Sequence, residues 1–300
     1  MLSIKHNQPF PQSIYPMISS EGEMVDIGVH YLGHHNDASF GAIPYLCFGK
    51  SPNGKDISIM VDVPRFSPSA VRAVKSLTES GPDYMFLTHV DDTADHNKWK
   101  EEFPTLKRIF HSGDLGRHNW VGDLTLENVE ILLQEDDGND SSSSDDDSLF
   151  TMWDINGKRQ PAEKLQQQLE PGEFLILYTP GHSPGSISLL FRPTTLQQTN
   201  GVQCDDLLSV DGKKVCYPKG VLFTGDTYSW TTRDGGHMSG FPRYGNNLQL
   251  QATTLQNLGK ICHLWDIIAP GHGHPRFYLE KDSRNEIKLE EMKCALEELL

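Results

Sequence analysis

Residues 86–96 of the chain read FLTHVDDTADH, so that apolar residues are followed directly by two histidines and three aspartates. The segment from Asp83 to Leu87 has the length and composition of a buried β-strand, and it would deliver His89 to the end of that strand. Imidazole and carboxylate groups are the usual protein ligands of zinc and other first-row metals. Because five such groups lie within eight positions, the stretch predicts a metal site at the end of a strand.

Three later stretches repeat this pattern of an apolar run, a glycine and a candidate ligand. They read YTPGH at residues 178–182, FTGD at residues 223–226 and APGH at residues 269–272. Each apolar run is short enough to be a buried strand. If the four strand ends converge on one edge of a sheet, their histidines and aspartates form a metal site.

Four motifs in this order resemble those of the metallo-β-lactamase superfamily, which includes hydroxyacylglutathione hydrolases and persulfide dioxygenases. They are Thr88-His89 with Asp95-His96, residues 179–186 (TPGHSPGS), residues 223–226 (FTGD) and residues 270–273 (PGHG). The resemblance extends from about residue 41 to residue 275. It implies an α/β fold, the αββα sandwich of two mixed β-sheets with helices outside, and a metal site at one edge between the sheets.

The resemblance also implies a role for each matching residue. His89 and His182 would bind a first metal ion, Asp95, His96 and His272 would bind a second, and Asp226 would bridge the two. Asp95 would in addition be catalytic, because it would orient the attacking water and carry a proton.

The first motif departs from the family pattern His-x-His-x-Asp-His. The spacing from His89 to His96 is two residues longer, and no second histidine lies between them. Counting forward from His89 places Asp91 at the missing position, whereas counting back from His96 places Thr93 there. We favour Asp91, because a carboxylate can replace an imidazole on zinc and a threonine is a poor ligand. The stretch is similar to that of a plant and algal subfamily, and its extra carboxylate would favour harder metals such as iron or manganese.

Two reaction classes are compatible with these ligands. A site that holds one or two zinc ions and activates water would make the protein a hydrolase of an ester, thioester, lactam or phosphoester. Two imidazoles and one carboxylate, here His89, His182 and Asp226, also form the mononuclear iron site of non-haem oxygenases, and persulfide dioxygenases use that arrangement. A metal-binding protein without turnover is a third hypothesis. The substrate would be set by loops at the edge of the site, at residues 28–41, 194–219 and 229–246.

Composition limits the partners. The formal net charge is -15, which disfavours binding to a nucleic-acid backbone. No apolar run approaches the roughly 20 residues of a membrane span. We therefore expect a small-molecule substrate, with neither nucleic acid nor membrane as a partner, and the oligomeric state stays open. The absence of an apolar signal segment favours an intracellular, cytoplasmic protein, with a plastid as the alternative.

The chain is predicted to be one main domain with additions at both ends. Residues 1–25 are expected to be an extended arm, residues 26–282 the main domain and residues 283–300 a charged C-terminal helix. Within the domain, the Ser/Asp tract 136–148 is predicted to be a disordered insertion, because it cannot bury apolar area. Residues 194–219 are predicted to be a polar hairpin insertion around Asp211-Gly212.

Overall fold

The structure, a computed structural model, describes residues 9–14, 17–18, 24–135, 149–194, 207–210, 213–279 and 284–300. The predicted acidic insertion at residues 136–148 lies outside the described residues, and so does most of the predicted arm.

Nineteen strands and four α-helices are found among the described residues. The strands are β1 (Gln12–Ser13), β2 (Met17–Ile18), β3 (Met24–Val25), β4 (Val29–Tyr31), β5 (Tyr45–Lys50), β6 (Asp56–Val61), β7 (Tyr84–Phe86), β8 (Lys107–His111), β9 (Ile131–Leu133), β10 (Met152–Trp153), β11 (Phe174–Tyr178), β12 (Ile187–Phe191), β13 (Leu207–Val210), β14 (Lys213–Cys216), β15 (Val221–Gly225), β16 (Ser229–Thr231), β17 (His237–Ser239), β18 (Ile267–Pro270) and β19 (Arg276–Phe277). The helices are α1 (Pro68–Leu77), α2 (His96–Glu102), α3 (Leu248–Lys260) and α4 (Arg284–Leu299).

The strands form two large mixed sheets and two small ones. The seven-stranded sheet has the order β1-β4-β5-β6-β7-β8-β9, and the six-stranded sheet has the order β10-β11-β12-β15-β18-β19. In the first sheet the pairs from β6 to β9 are parallel, and in the second the β15–β18 pair is parallel. The small sheets have the orders β14-β13-β2-β3 and β16-β17. Within the predicted 194–219 insertion, β13 and β14 pair antiparallel, with Val210 opposite Lys213.

Three apolar layers hold these elements together. Because side chains alternate along a strand, Ile59 and Phe86 enter the core between the two large sheets, whereas Met60 and Met85 face the opposite layer with Val74 of α1. Strands buried on both faces read as nearly continuous apolar runs, which is the pattern of β6 and β7.

The outer face of the six-stranded sheet is covered in the same way. Leu190 and Leu222 pack there with Leu255 of α3 and Met292 of α4. The order of layers is therefore helix, sheet, sheet, helix, and the predicted αββα sandwich is confirmed.

Helix ends follow their capping residues. The Ser67 hydroxyl accepts a hydrogen bond from the Ala70 amide at the start of α1, and Pro68 takes the first helical position. Asn247 caps α3 in the same way through the Leu250 amide. Among the described residues, none of the helices combines the length and apolar character that crossing a membrane requires.

Helix α4 is attached to the sandwich by a buried ion pair. Lys288 is fully buried, and its Nζ lies 2.7 Å from Asp266 Oδ1 and 2.9 Å from the Cys262 carbonyl oxygen. The same ammonium group lies over the Trp265 ring, 4.9 Å from its centre. Burial lowers the pKa of Lys288, and the Asp266 carboxylate opposes this shift. The charged group thus has partners that replace the water it has lost.

We expect Lys288→Met to lower the free energy of unfolding by about 3 kcal/mol, because the buried Asp266 carboxylate then keeps only Arg284, at 3.0 Å, as a cationic partner. Lys293→Met, at an exposed position of the same helix, is the matched control and should be close to neutral. Denaturant titration followed by circular dichroism measures both. Equal stability of the two variants would contradict this role of Lys288.

Candidate metal centre

The four predicted strand ends meet at one edge of the sandwich. His89 follows β7 in the seven-stranded sheet, whereas His182, Asp226 and His272 follow β11, β15 and β18 in the six-stranded sheet. The sheets are joined there by hydrogen bonds from the Ile187 amide to the Thr88 carbonyl and from the Tyr45 hydroxyl to the Pro270 carbonyl. The edge therefore gathers side chains from distant parts of the chain.

His89, His182 and Asp226 each offer one donor atom, and these atoms all lie within 4.8 Å of one another. The Nε2 atoms of His89 and His182 are 4.0 Å and 3.7 Å from Asp226 Oδ2. Zinc–donor bonds of about 2.0–2.2 Å put neighbouring donors of a tetrahedral ion roughly 3.3–3.5 Å apart. These two separations exceed this by about 0.2–0.7 Å.

Asp91 joins the same cluster. Its Oδ2 lies 3.6 Å from His89 Nε2 and 3.9 Å from His182 Nε2. Its other oxygen, Oδ1, accepts a hydrogen bond from the Trp120 indole. Thr93, the alternative at the missing position, instead donates its hydroxyl to the Val90 carbonyl at 2.9 Å. The geometry therefore favours Asp91 as the fourth donor.

The cluster fits a cation. His89 Nε2, the ring nitrogen that faces Asp91 and Asp226, is buried and has no hydrogen-bond partner among the described residues. A buried polar atom without a partner costs about 1–3 kcal/mol, so this atom indicates a missing ligand. The other ring nitrogen of His89 lies 3.0 Å from the Thr88 hydroxyl, which turns Nε2 toward the cluster.

The electrostatics of the cluster also attract positive charge. Burial lowers the pKa of His89, but Asp92, Asp91 and Asp226 together outweigh it and raise that pKa well above its usual range. Burial raises the pKa of Asp226, but the neighbouring histidines, His272 above all, lower it to about 2. Asp92 is fully buried, and its Oδ2 lies 3.7 Å from His89 Nδ1. Carboxylates thus surround the buried imidazoles.

His272 lies on the solvent side of the cluster. Its Nε2 is 3.2 Å from Asp226 Oδ2, and its side chain is 23% exposed. Burial lowers the pKa of His272, but the Asp226 carboxylate outweighs it and raises that pKa above its usual value. His272 is thus placed to exchange protons with solvent or with a molecule bound above Asp226.

The structure does not bring Asp95 to the cluster. Its Oδ2 accepts hydrogen bonds from the Asn36 amide group and the Phe66 backbone amide, both at 3.0 Å, and its Oδ1 pairs with Lys98 at 2.6 Å. Both oxygens therefore bind donors outside the cluster. The expected catalytic and metal-binding roles of Asp95 find no support in this geometry.

His96 is likewise separated from the other predicted ligands. The Arg108 guanidinium lies 3.0 Å from its Nδ1, and because a guanidinium can only donate, Nδ1 accepts. Its Nε2 then carries the proton and donates to Asp123 Oδ2 at 3.0 Å. Burial lowers the pKa of His96, and Arg108 adds to this effect against the opposing charge of Asp123. No lone pair of the ring is free for a metal, so the expected second site of Asp95, His96 and His272 is not assembled.

The two extra residues of the first motif explain this separation. Residues Val90–Thr93 form a 3₁₀ turn, and Asp95 then adopts a left-handed backbone conformation with a φ of 67° before α2 begins at His96. The turn carries Asp91 to the cluster and moves the Asp95-His96 pair away from it.

Sequence reasoning missed two residues that contact this site, Asp114 and Trp120. Trp120 donates to Asp91, and Asp114 accepts hydrogen bonds from the loops that carry His89 and His182. The signal for Asp114 was present, because the stretch IFHSGD at residues 109–114 again places a glycine and a carboxylate after a strand. Trp120 lies in a loop without such a pattern.

A cavity of about 320 Å³ opens above the cluster. Its floor is formed by Asp91, His182, Asp226 and His272, and its walls by Phe40, Phe241 and Tyr244. Phe40 lies in the predicted substrate loop 28–41, and Phe241 and Tyr244 lie in the predicted loop 229–246. Phe40 and Tyr244 are 69% and 67% exposed, so the mouth of the cavity presents aromatic surface to solvent.

No family model matches this chain, and no curated protein matches it significantly. Solved structures of metallo-β-lactamases are similar to it. The DIM-1 metallo-β-lactamase has a TM-score of 0.43 and 13% sequence identity, covering 84% of this chain and 94% of that chain. The mono-zinc form of FIM-1 from Pseudomonas aeruginosa has a TM-score of 0.42 and 13% sequence identity, covering 86% of this chain and 93% of that chain. TMB-1 has a TM-score of 0.43 and 9% sequence identity, covering 89% of this chain and 98% of that chain. These enzymes are of the family that the motifs resemble.

The two histidines give a direct test of which side chains bind metal. We expect His182→Ala to weaken zinc binding about 100-fold or more, because a buried donor is lost, and His96→Gln to change it by less than about threefold. Competition against a chromophoric chelator measures both affinities. Equal losses in the two variants would contradict the separation of His96 from the cluster.

Proposed function

We propose that this protein is a metal-dependent hydrolase. One divalent cation, with zinc as the first choice, would be held by His89, His182 and Asp226, and Asp91 would be a fourth donor that water can displace, because catalytic zinc sites keep one position open. The observation that carries the proposal is the convergence of the His89 and His182 imidazoles with the Asp91 and Asp226 carboxylates beneath an open cavity that all but His89 line, with a buried His89 Nε2 that has no other partner among the described residues.

The cation would supply Lewis-acid chemistry, because it lowers the pKa of a bound water to about 7 and polarises a carbonyl oxygen. The protein itself supplies orientation and a proton carrier. Asp226 Oδ2 lies between the buried histidines and His272 Nε2. His272 lines the cavity and can take up or release a proton at Nε2, which is the role that the sequence had suggested for Asp95.

The charge balance of the site favours neutral substrates. Two carboxylates, Asp91 and Asp226, offset the charge of one divalent cation, so little net charge is left to attract an anion. No Lys or Arg among the described residues lines the cavity. We therefore infer that carboxylic esters or thioesters are better substrates than phosphoesters.

The aromatic walls favour an apolar group next to the scissile bond. Phe40, Phe241 and Tyr244 present ring surfaces around the cavity mouth, and ring–ring contacts contribute about 0.5–1.5 kcal/mol beyond the area they bury. An aryl or aliphatic ester would bury these exposed rings on binding. The proposed substrate is thus a neutral ester or thioester with an apolar group.

A mononuclear iron oxygenase is the second candidate function. It is supported by the two imidazoles and one carboxylate of His89, His182 and Asp226, the ligand set of non-haem iron sites. Asp91 argues against it, because a fourth protein donor 3.6 Å from His89 Nε2 takes up space that such sites leave open for oxygen and substrate. We therefore place the hydrolase first.

The proposed reaction is tested with purified protein, a chelator and a panel of esters and thioesters. We expect one zinc ion per chain to restore hydrolysis after chelation, and Asp226→Asn to lower kcat/KM about 100-fold or more, because a metal ligand and the partner of His272 are lost together. One iron ion per chain with oxygen uptake would favour the oxygenase instead. Zinc binding without turnover of any ester or thioester would support the third hypothesis, a metal-binding protein without catalytic activity.

Substrate preference is tested by removing an aromatic wall. We expect Tyr244→Ala to lower kcat/KM for an aryl ester about tenfold while an acetate ester with a small alcohol changes little, because only the larger group contacts the ring. Leu289→Ala, an exposed apolar residue on α4, is the control and should leave both substrates unaffected. An equal loss for both esters would count against the aromatic subsite.

A further inference from the structure

We infer that Asp114 is a positioning residue that fixes the His89 loop and the His182 loop relative to each other. The inference rests on the proposed metal site, since its importance depends on both histidines being ligands. Asp114 lies at the end of the 3₁₀ turn Ser112–Asp114, which follows β8, and it is fully buried.

One carboxylate reaches both loops. Asp114 Oδ2 accepts hydrogen bonds from the Val90 amide at 2.9 Å and from the Ser183 hydroxyl at 2.7 Å. Its Oδ1 accepts a third from the Gly185 amide at 2.6 Å. Val90 is the residue after His89, and Ser183 is the residue after His182. The carboxylate therefore holds the backbone or side chain next to each of two proposed ligands.

The two loops belong to different sheets. His89 follows β7 of the seven-stranded sheet, and His182 follows β11 of the six-stranded sheet, so their relative position depends on contacts across the sandwich. The rings of the two histidines lie 4.9 Å apart and nearly perpendicular, at 84°. Asp114 bonds to both loops through a single rigid group, which makes it a direct determinant of that spacing.

The packing around Asp114 is too close for larger residues. A Cβ atom at Gly185 would lie 2.6 Å from the Asp114 carboxyl carbon, and one at Gly113 would lie 2.6 Å from the Pro184 carbonyl oxygen. Neither distance is possible without a shift of the loops. The Pro184-Gly185 pair of the TPGHSPGS motif thus leaves room for the Asp114 side chain. The motif, which follows a strand of the six-stranded sheet, therefore packs directly against a residue that follows a strand of the seven-stranded sheet.

A residue that only stabilises the fold and a residue that positions ligands differ in their effect on metal binding. Partners one shell beyond the ligands alter metal affinity about 10–100-fold when they are changed. Replacing a purely structural carboxylate would lower the stability of the fold and leave the metal affinity of the folded protein unchanged. Asp266 is such a carboxylate, because it is fully buried and binds Lys288 at 2.7 Å and the Lys219 amide at 2.9 Å, away from the cluster.

The test compares Asp114→Asn with Asp266→Asn in the full chain. Zinc affinity is measured by chelator competition, and the visible absorption of the cobalt(II)-loaded protein reports ligand geometry. We expect Asp114→Asn to bind zinc about 10–100-fold more weakly with an altered cobalt spectrum, whereas Asp266→Asn loses stability but keeps wild-type affinity and spectrum. Ser183→Ala, which removes one of the three hydrogen bonds, should give a smaller change in the same direction and replaces Asp114→Asn if that variant does not fold.

The outcomes separate the two proposals. Wild-type affinity and spectrum in Asp114→Asn, or in Ser183→Ala as its replacement, overturn the positioning role and leave the proposed function intact. A wild-type protein that binds no zinc or cobalt overturns both. If the wild-type protein hydrolyses no ester but the variants bind zinc more weakly than it does, the positioning role of Asp114 is supported and the hydrolase proposal fails.

Discussion

The meeting of buried carboxylates and buried imidazoles at one edge of the sandwich is the interaction on which the rest of the site depends. His89 and His182 are buried beside Asp226 and Asp91, and the charges that surround them favour a cation in their midst. Burying such groups is costly unless a ligand or a partner satisfies them. The surrounding elements can therefore be understood as the scaffold that keeps these groups together.

The αββα sandwich meets that requirement through its topology. Parallel strands end at a common edge, so β15 and β18 bring Asp226 and His272 side by side, and β11 adds His182 from the same sheet. The second sheet contributes His89 across the interface. Hydrogen bonds that the Asp114 carboxylate accepts and one that the Ile187 amide donates then hold the two sheets together next to the ligands. Stability and site geometry thus share the same contacts.

Much of this centre was readable from the sequence, and one part was not. Glycine and ligand motifs after apolar runs led to His89, His182, Asp226 and His272, because strand ends determine where such residues lie. They also led to Asp91 by a chemical argument about carboxylates as ligands. The family resemblance implied a second metal at His96, yet in the structure Arg108 and Asp123 bind both of its ring nitrogens. No pattern in the first motif itself revealed those partners.

The sequence by itself determined the strand ends and the kinds of donor, because alternation and strand length are local properties of the chain, and the order of its motifs indicated the fold class through the family resemblance. Only the tertiary structure decided which donors share one centre, and which are bound elsewhere. That choice depends on residues far away in the chain, such as Ser183 and Asp114, which are separated by 69 positions and lie 2.7 Å apart. The aromatic walls of the cavity, Phe40, Phe241 and Tyr244, were decided in the same way, because they come together only when distant loops pack around one edge.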